Sequence, residues 1–213
     1  MINKRITQGI YKIRKPYKQV KLSFGTLALV FAGIMLLVIS AFTQIKFSFS
    51  QPYPSLPPVI NFEYIPQIPA VIFIAALLGR TWGVITVLLY VILGFTPEFP
   101  IFGLGGGLSY IFQYTFGYIF AFVFSAFFTA NELKYEHSFW HTVTAVLIGV
   151  FIIHISGMLY MTVTALLRQD SWPFISDLLY YQSLSKIFYD FIFSFAAVIA
   201  AKILKKALWI ITG

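Results

Sequence analysis

The sequence predicts an all-α integral membrane protein, a bundle of six helices with both termini on the cytoplasmic side. Three observations carry that prediction. Of the 213 residues, 59% are hydrophobic and only 10% are charged, whereas a soluble domain carries about 25% charged residues. A surface so poor in charge must face lipid rather than water. Apolar segments recur along the chain, and Lys and Arg gather at one set of their ends. The net charge of +8 therefore belongs to a membrane surface. A nucleic-acid site would need the cations on one face of a soluble fold.

The elements follow in order. Residues 1–23 hold Lys4, Arg5, Lys12, Arg14, Lys15, Lys18 and Lys21 and no acid, and read as a basic cytoplasmic segment ahead of a membrane domain over 24–213. The uncharged run Phe24 to Ile45 would reach about 33 Å as a helix, enough to cross a bilayer core. A signal peptide has an apolar core of only about 7–15 residues, so this longer run reads as a retained first helix. Residues 46–65, with Pro52, Pro54, Pro57 and Pro58, read as a polar loop. A short second helix is expected from Pro66 to Gly79 and a third from Trp82 to Phe95, joined by a tight turn at Gly79–Arg80. Residues 96–112 form a Gly/Pro-rich loop. The fourth helix is expected over Gln113–Ala130, a polar turn over Asn131–Ser138, the fifth helix over Phe139–Leu167, a polar loop over 168–182 and the sixth helix over Ser183–Trp209.

Six spans place the N-terminal cations with Arg80, Lys134, Lys202, Lys205 and Lys206 on one side. Only Lys46 and Arg168 fall on the other. The positive-inside rule assigns the first side to the cytoplasm.

The residues able to carry chemistry are few. There is no cysteine, which excludes disulfides, thiolate metal sites and Cys nucleophiles. Lys186 and Asp190 are four apart and share one helix face. A lone charge in hydrocarbon costs on the order of 3 kcal/mol by insertion scales, so these two either hold a polar solute or form a structural ion pair. Gly105, Gly106 and Gly107 let backbone approach a ligand closely, or simply make a flexible turn. The segment is no phosphate-binding loop, because no Gly-Lys-Ser/Thr follows it. His154 and Ser156 could face a bundle cavity, or His154 could be a satisfied core residue. Ala28 and Ala32 give a small-xxx-small spacing that admits another helix, and Gly149 and Gly157 could do the same. No His, Asp and Glu combination has metal-ligand spacing.

Taken together, these segments resemble the BioY family, the substrate-capture subunits of energy-coupling-factor biotin transporters. The resemblance covers most of residues 24–205. The first helix carries Ala28-x-x-x-Ala32 and ends Ala41-Phe-Thr-Gln44-Ile45, similar to the family's alanine pair and Ala-Gln-Ile-like ending. Ile65-Pro-Gln67 leading to Leu77-Leu-Gly79 resembles the family's Leu-Gln segment running to Leu-Leu-Gly. Pro100-Ile-Phe102, Gly105-Gly106-Gly107, Thr115, Gly117 and Tyr118 follow the order of its Pro-Val-Phe, glycine cluster and Gly-Pro-Thr-Gly-Gly-Tyr. His154 to Tyr160 resembles its fifth-helix segment. Two departures stand out. Gln113-Tyr-Thr-Phe-Gly-Tyr118 differs from the family motif at three of six positions. The family's last helix opens Pro-Gly-Asp-x-x-Lys, whose Asp and Lys help hold biotin's ureido ring. Here Lys186 matches, Ser183 stands where the acid is expected, and Asp190 lies one turn beyond Lys186.

The resemblance implies an outward-facing cavity that captures biotin. It would be lined by Gln67, Phe102, Gly105, Gly106, Gly107, Tyr110, Tyr118, His154, Lys186 and Asp190. Ala28 and Ala32 would dock a coupling transmembrane subunit, and cytoplasmic ATPase subunits would supply the energy. The chain itself is then no enzyme and needs no cofactor or metal. Three alternatives remain open from sequence: capture of a different vitamin, a membrane enzyme acting on a lipid-borne substrate, and a structural membrane protein without a ligand.

Overall fold

The computed structural model describes residues 23–50, 59–103, 105–134 and 138–212. The basic N-terminal run, the proline-rich stretch 51–58, Leu104 and His137 lie outside the described residues. The order of elements is α1 (Phe24–Phe42), β1 (Ile45–Ser50), β2 (Val59–Tyr64), α2 (Gln67–Gly94), α3 (Phe116–Leu133), α4 (Phe139–Leu167), α5 (Trp172–Leu179) and α6 (Ile187–Thr212). A 3₁₀ turn over Leu108–Phe112 precedes α3, and a π turn over Tyr180–Leu184 joins α5 to α6. Five helical stretches among the described residues are long and apolar enough to cross a membrane.

α1 begins where the Ser23 hydroxyl accepts the Thr26 amide, a capping bond that satisfies an otherwise orphaned donor. Val30, Ile34, Leu37 and Ala41 face inward, while Phe31, Met35, Ile39 and Phe42 are exposed. Both faces are apolar, as a helix between protein and lipid requires.

α2 is not one rod. Gly79 has φ 73° and ψ −172°, a conformation that excludes most side chains. The chain reverses there. A Cβ placed on Gly83 would lie 3.1 Å from the Ala75 Cα, although residues eight apart on a straight helix are about 12 Å apart. The Gln67 amide likewise reaches the Tyr90 hydroxyl at 2.8 Å. The two arms, 67–78 and 80–94, form an antiparallel hairpin, which realises the tight turn expected at Gly79–Arg80. This hairpin packs against α1, α3, α4 and α6. It carries much of the core, with Val71, Ile72, Ala75, Val87 and Tyr90 fully buried.

α3 and α4 form the most extensive helix pair, and glycine makes it possible. A Cβ on Gly117 would come 2.3 Å from the Tyr160 Cβ, one on Gly149 2.2 Å from the Thr129 hydroxyl, and one on Gly157 2.4 Å from the Tyr118 ring. The close approach expected at Gly149 and Gly157 is therefore present. Ser125 adds a hydroxyl bond to the Gly149 carbonyl at 2.9 Å, the kind of interhelical bond that lipid-embedded bundles use.

Two expected loops are ordered structure. Residues 45–50 and 59–64 pair antiparallel with Lys46 opposite Glu63, joined by a 3.2 Å ion pair. The alternation of Phe and Ser over residues 47–50 has the period of two of a strand, which outweighs the nearby prolines that suggest a loop. Phe47 stacks toward Tyr189 and Tyr64 against Phe193 of α6. The stretch 168–182 is helical from Trp172 onward, with Ser171 at the N-cap and Pro173 in the first turn, positions where both residue types favour helix starts. The fourth helix begins at Phe116 rather than Gln113.

Candidate functional site

The long connections gather at one end of the bundle. The β hairpin packs on α6, and the glycine segment reaches the end of α1, where a Cβ on Gly103 would stand 2.6 Å from the Ala41 carbonyl. The segment before α3 is fastened to α4: Tyr160 donates to the Ile111 carbonyl and Arg168 to the Phe112 carbonyl. Arg168 also lies 4.3 Å over the Tyr114 ring, whose hydroxyl donates to Asp170 at 2.6 Å.

Beneath this cap runs a buried polar relay. Tyr64, the last residue of β2, donates to Asp190 Oδ1 at 2.7 Å. Asp190 Oδ2 lies 3.0 Å from His154 Nε2, and His154 Nδ1 lies 2.9 Å from the Ser183 hydroxyl. Ser183 is 2.5 Å from the Tyr118 hydroxyl. Five residues from β2, α3, α4, the π turn and α6 are thus linked, and His154 and Ser183 have no solvent exposure. The spacing explains the bridge. Ser183 and Asp190 are seven apart, two helical turns along one face, and the imidazole spans the gap between them. The π turn, closed by the Ser185 amide on the Tyr180 carbonyl at 3.0 Å, is a distortion common at functional sites. Burial raises the Tyr64 phenol above its ordinary range, and the adjacent Asp190 carboxylate adds to that.

A second cluster lies by the glycine segment. Gln67 donates to Tyr90, and Tyr90 donates to the Ile101 carbonyl at 3.1 Å. Phe102 is buried against Tyr90, Phe95 and Tyr110, with ring centroids 5.6, 6.1 and 4.8 Å away. Its ring fits over Gly94, where a Cβ would come within 2.0 Å. Gly103, Gly105 and Gly107 all have positive φ, and the Gly107 amide donates to the Gly94 carbonyl at 2.8 Å. The Gly107 amide is therefore used to close its own loop. The Tyr110 hydroxyl bonds Thr115 at 3.0 Å. Burial pushes the Tyr110 phenol up, against the opposing effect of that bond.

The structure brings the sequence-selected residues into these two neighbouring groups. Tyr118, His154 and Asp190 join the relay, while Gln67, Phe102 and Tyr110 join the aromatic cluster. Lys186 bears on the two alternatives left open for it: among the described residues it forms no ion pair within 4 Å. Asp190 spends both oxygens on Tyr64 and His154, so the Lys186–Asp190 packing pair is absent. Asp190 and Glu63 are the carboxylates that act on Lys186 electrostatically. Sequence reading missed Tyr64 and Tyr90. Tyr64 falls inside the expected loop 46–65 and Tyr90 sits mid-helix, so neither carries a local signal. Ala28 and Ala32 are exposed on α1.

Comparison with known proteins places this arrangement. The BioY family model matches residues 15–209. The chain belongs to the BioY family. Among solved structures, BioY-like architecture is matched by a crystal structure at 2.1 Å of the S-component for biotin from an ECF-type ABC transporter. That match has a TM-score of 0.65 and 20% identity, over 87% of this chain and 95% of that one. At that identity the likeness is one of fold. No curated protein sequence matches the chain. Family membership and the apolar helices make this a multi-pass membrane protein.

Proposed function

We propose that this BioY protein is the biotin-capturing subunit of an energy-coupling-factor transporter. The observation that carries the reading is the family match across residues 15–209. The geometry supports it. A half-buried cation, Lys186, stands one turn before Asp190 of the polar relay, and Phe102 and Tyr110 form an aromatic cluster by the glycine segment. That combination suits a ligand with an apolar chain, a ureido group and a carboxylate. In this reading Phe102, Tyr110 and Tyr118 face the apolar part. Gln67, Lys186 and the backbone at Gly105 and Gly106 face the polar ends, Gly107 closes the loop that presents them, and Asp190 and His154 support them from below.

The two arms of α2 count as separate short crossings, giving six passes with both termini in the cytoplasm and the protein in the plasma membrane. At about 18 and 22 Å they are short for a bilayer core of about 30 Å, and the β hairpin and glycine segment complete the span. The exposed Ala28 and Ala32 dock a coupling transmembrane subunit, to which two cytoplasmic ATPase subunits supply energy. The chain performs no chemistry of its own.

The test is calorimetric titration of the purified protein in detergent with biotin, riboflavin and thiamine. Tight, selective biotin binding that weakens in Lys186→Ala supports the reading, and a folded sample that ignores biotin rejects it. One observation favours a second reading, capture of a different vitamin. Ser183, at the position of the family's ligand-holding acid, is already engaged by His154 and Tyr118. Riboflavin or thiamine binding in the same titration selects that alternative.

A further inference from the structure

The relay leaves one degree of freedom. An ionised Asp190 can only accept hydrogen bonds. Oδ1 takes the Tyr64 hydrogen and Oδ2 faces His154 Nε2, so Nε2 carries a hydrogen whatever the charge on the ring. The other nitrogen, Nδ1, has two states. When bare, it accepts the Ser183 hydrogen, and the Ser183 oxygen accepts in turn from Tyr118. When protonated, it donates to Ser183. The Ser183 hydrogen then points to the Tyr118 oxygen, and the Tyr118 hydrogen must find an acceptor outside the relay. A proton on a fully buried ring in α4 is thereby read out as the polarity of a hydroxyl in α3.

We propose that His154 and Asp190 are positioning residues for ligand capture. Acting through Ser183, they set whether the Tyr118 hydroxyl offers its hydrogen or a lone pair to the ligand. This rests on the reading above, with the Tyr118 ring against the ligand's apolar part and its hydroxyl, at the Ser183 end of the ring, within reach of the adjoining polar group. The titratable groups at His154 are Asp190 of α6 and Tyr118 of α3, with Tyr64 of β2 on the far oxygen of Asp190; Lys186 stands one turn before Asp190. Of these side-chain types, imidazole is the one that ordinarily changes charge between about pH 5 and 8. One net hydrogen bond gained or lost at Tyr118 changes affinity about 5–10-fold. The same geometry makes the neutral ring the tautomer with hydrogen on Nε2, because the acceptor-only carboxylate stands there.

Two measurements on the full chain in detergent test this. Nitrogen NMR of selectively labelled histidine, assigned by loss of the signal in His154→Gln, reads the tautomer and charge of His154 across about pH 5–8. A neutral ring with its hydrogen on Nε2 is expected, and a neutral ring with its hydrogen on Nδ1 overturns the inference. Biotin calorimetry over the same range reads the consequence. Wherever the NMR shows Nδ1 changing state, wild-type affinity is expected to change about 5–10-fold, while Ser183→Ala, which cuts the relay yet leaves the His154–Asp190 contact in place, is flat. Equal pH dependence in wild type and Ser183→Ala overturns the positioning role. Absence of biotin binding at every pH rejects the biotin reading instead. The NMR result then decides the relay by itself, with the same calorimetry repeated for whichever control vitamin binds.

Discussion

The relay and the aromatic cluster are neighbours built on opposite principles. The relay contains an ionisable pair, His154 and Asp190, and joins residues up to 126 positions apart. The aromatic cluster holds no charged side chain. Its polar contacts, Gln67 to Tyr90 and Tyr90 to Ile101, span 23 and 11 positions, and shape fixes it, with Phe102 seated on Gly94. The difference teaches where each is fragile. A buried charge network fails when one member is removed, because the partners left behind are costly. An aromatic cluster fails by losing volume.

The largest expected effect is therefore at Asp190. Asp190→Ala strands the Tyr64 hydroxyl and His154 Nε2, and should destabilise the fold by about 3–5 kcal/mol, measured by thermal unfolding in detergent. Asp190→Asn, which keeps an acceptor, should cost clearly less. Equal losses would mean that the retained acceptor counts for nothing and that the carboxylate's charge is what the relay needs. Phe102→Ala attacks the cluster and should cost about 3 kcal/mol, and Gly94→Phe in the same background should not restore it, because the space belongs to a ring entering from the loop.

Tyr64→Phe removes one bond to the carboxylate and should cost about 1.5–3 kcal/mol. It also carries a pH signature. Both Tyr64 and Tyr110 are raised above the ordinary phenol range, chiefly by burial. Their contribution is complete below the unfolded value of about 10 and is lost as pH rises toward the folded one. Wild-type stability should thus fall above about pH 10, and less steeply in Tyr64→Phe; parallel slopes would contradict burial at Tyr64. The smallest effect is Gln67→Leu, which breaks a neutral bond to Tyr90 worth about 0.5–1.5 kcal/mol. A loss as large as that of Tyr64→Phe would erase the distinction between the two regions.

Much of the fold was legible because lipid imposes simple rules. The length and apolarity of α4 located Phe139–Leu167, and Gly79 marked a chain reversal, since a glycine between two short apolar runs invites one. The strands were not legible. Residues 45–50 and 59–64 earn their order from Phe47 and Tyr64 packing on α6, a contact that no local pattern encodes. The same limit applied to α5, whose polar residues resemble a loop until Ile175 is buried.

By itself, the sequence determined that the chain spans a membrane, that the first helix carries Ala28 and Ala32 at small-xxx-small spacing, and that Lys186 and Asp190 share a helix face. Composition and periodicity are local quantities, and a bilayer reads them directly. Only the tertiary structure decided that Asp190 would take Tyr64 and His154 rather than Lys186. That choice depends on which helices meet and on the few ångströms that hydrogen bonds tolerate, and both are set by packing across the whole chain.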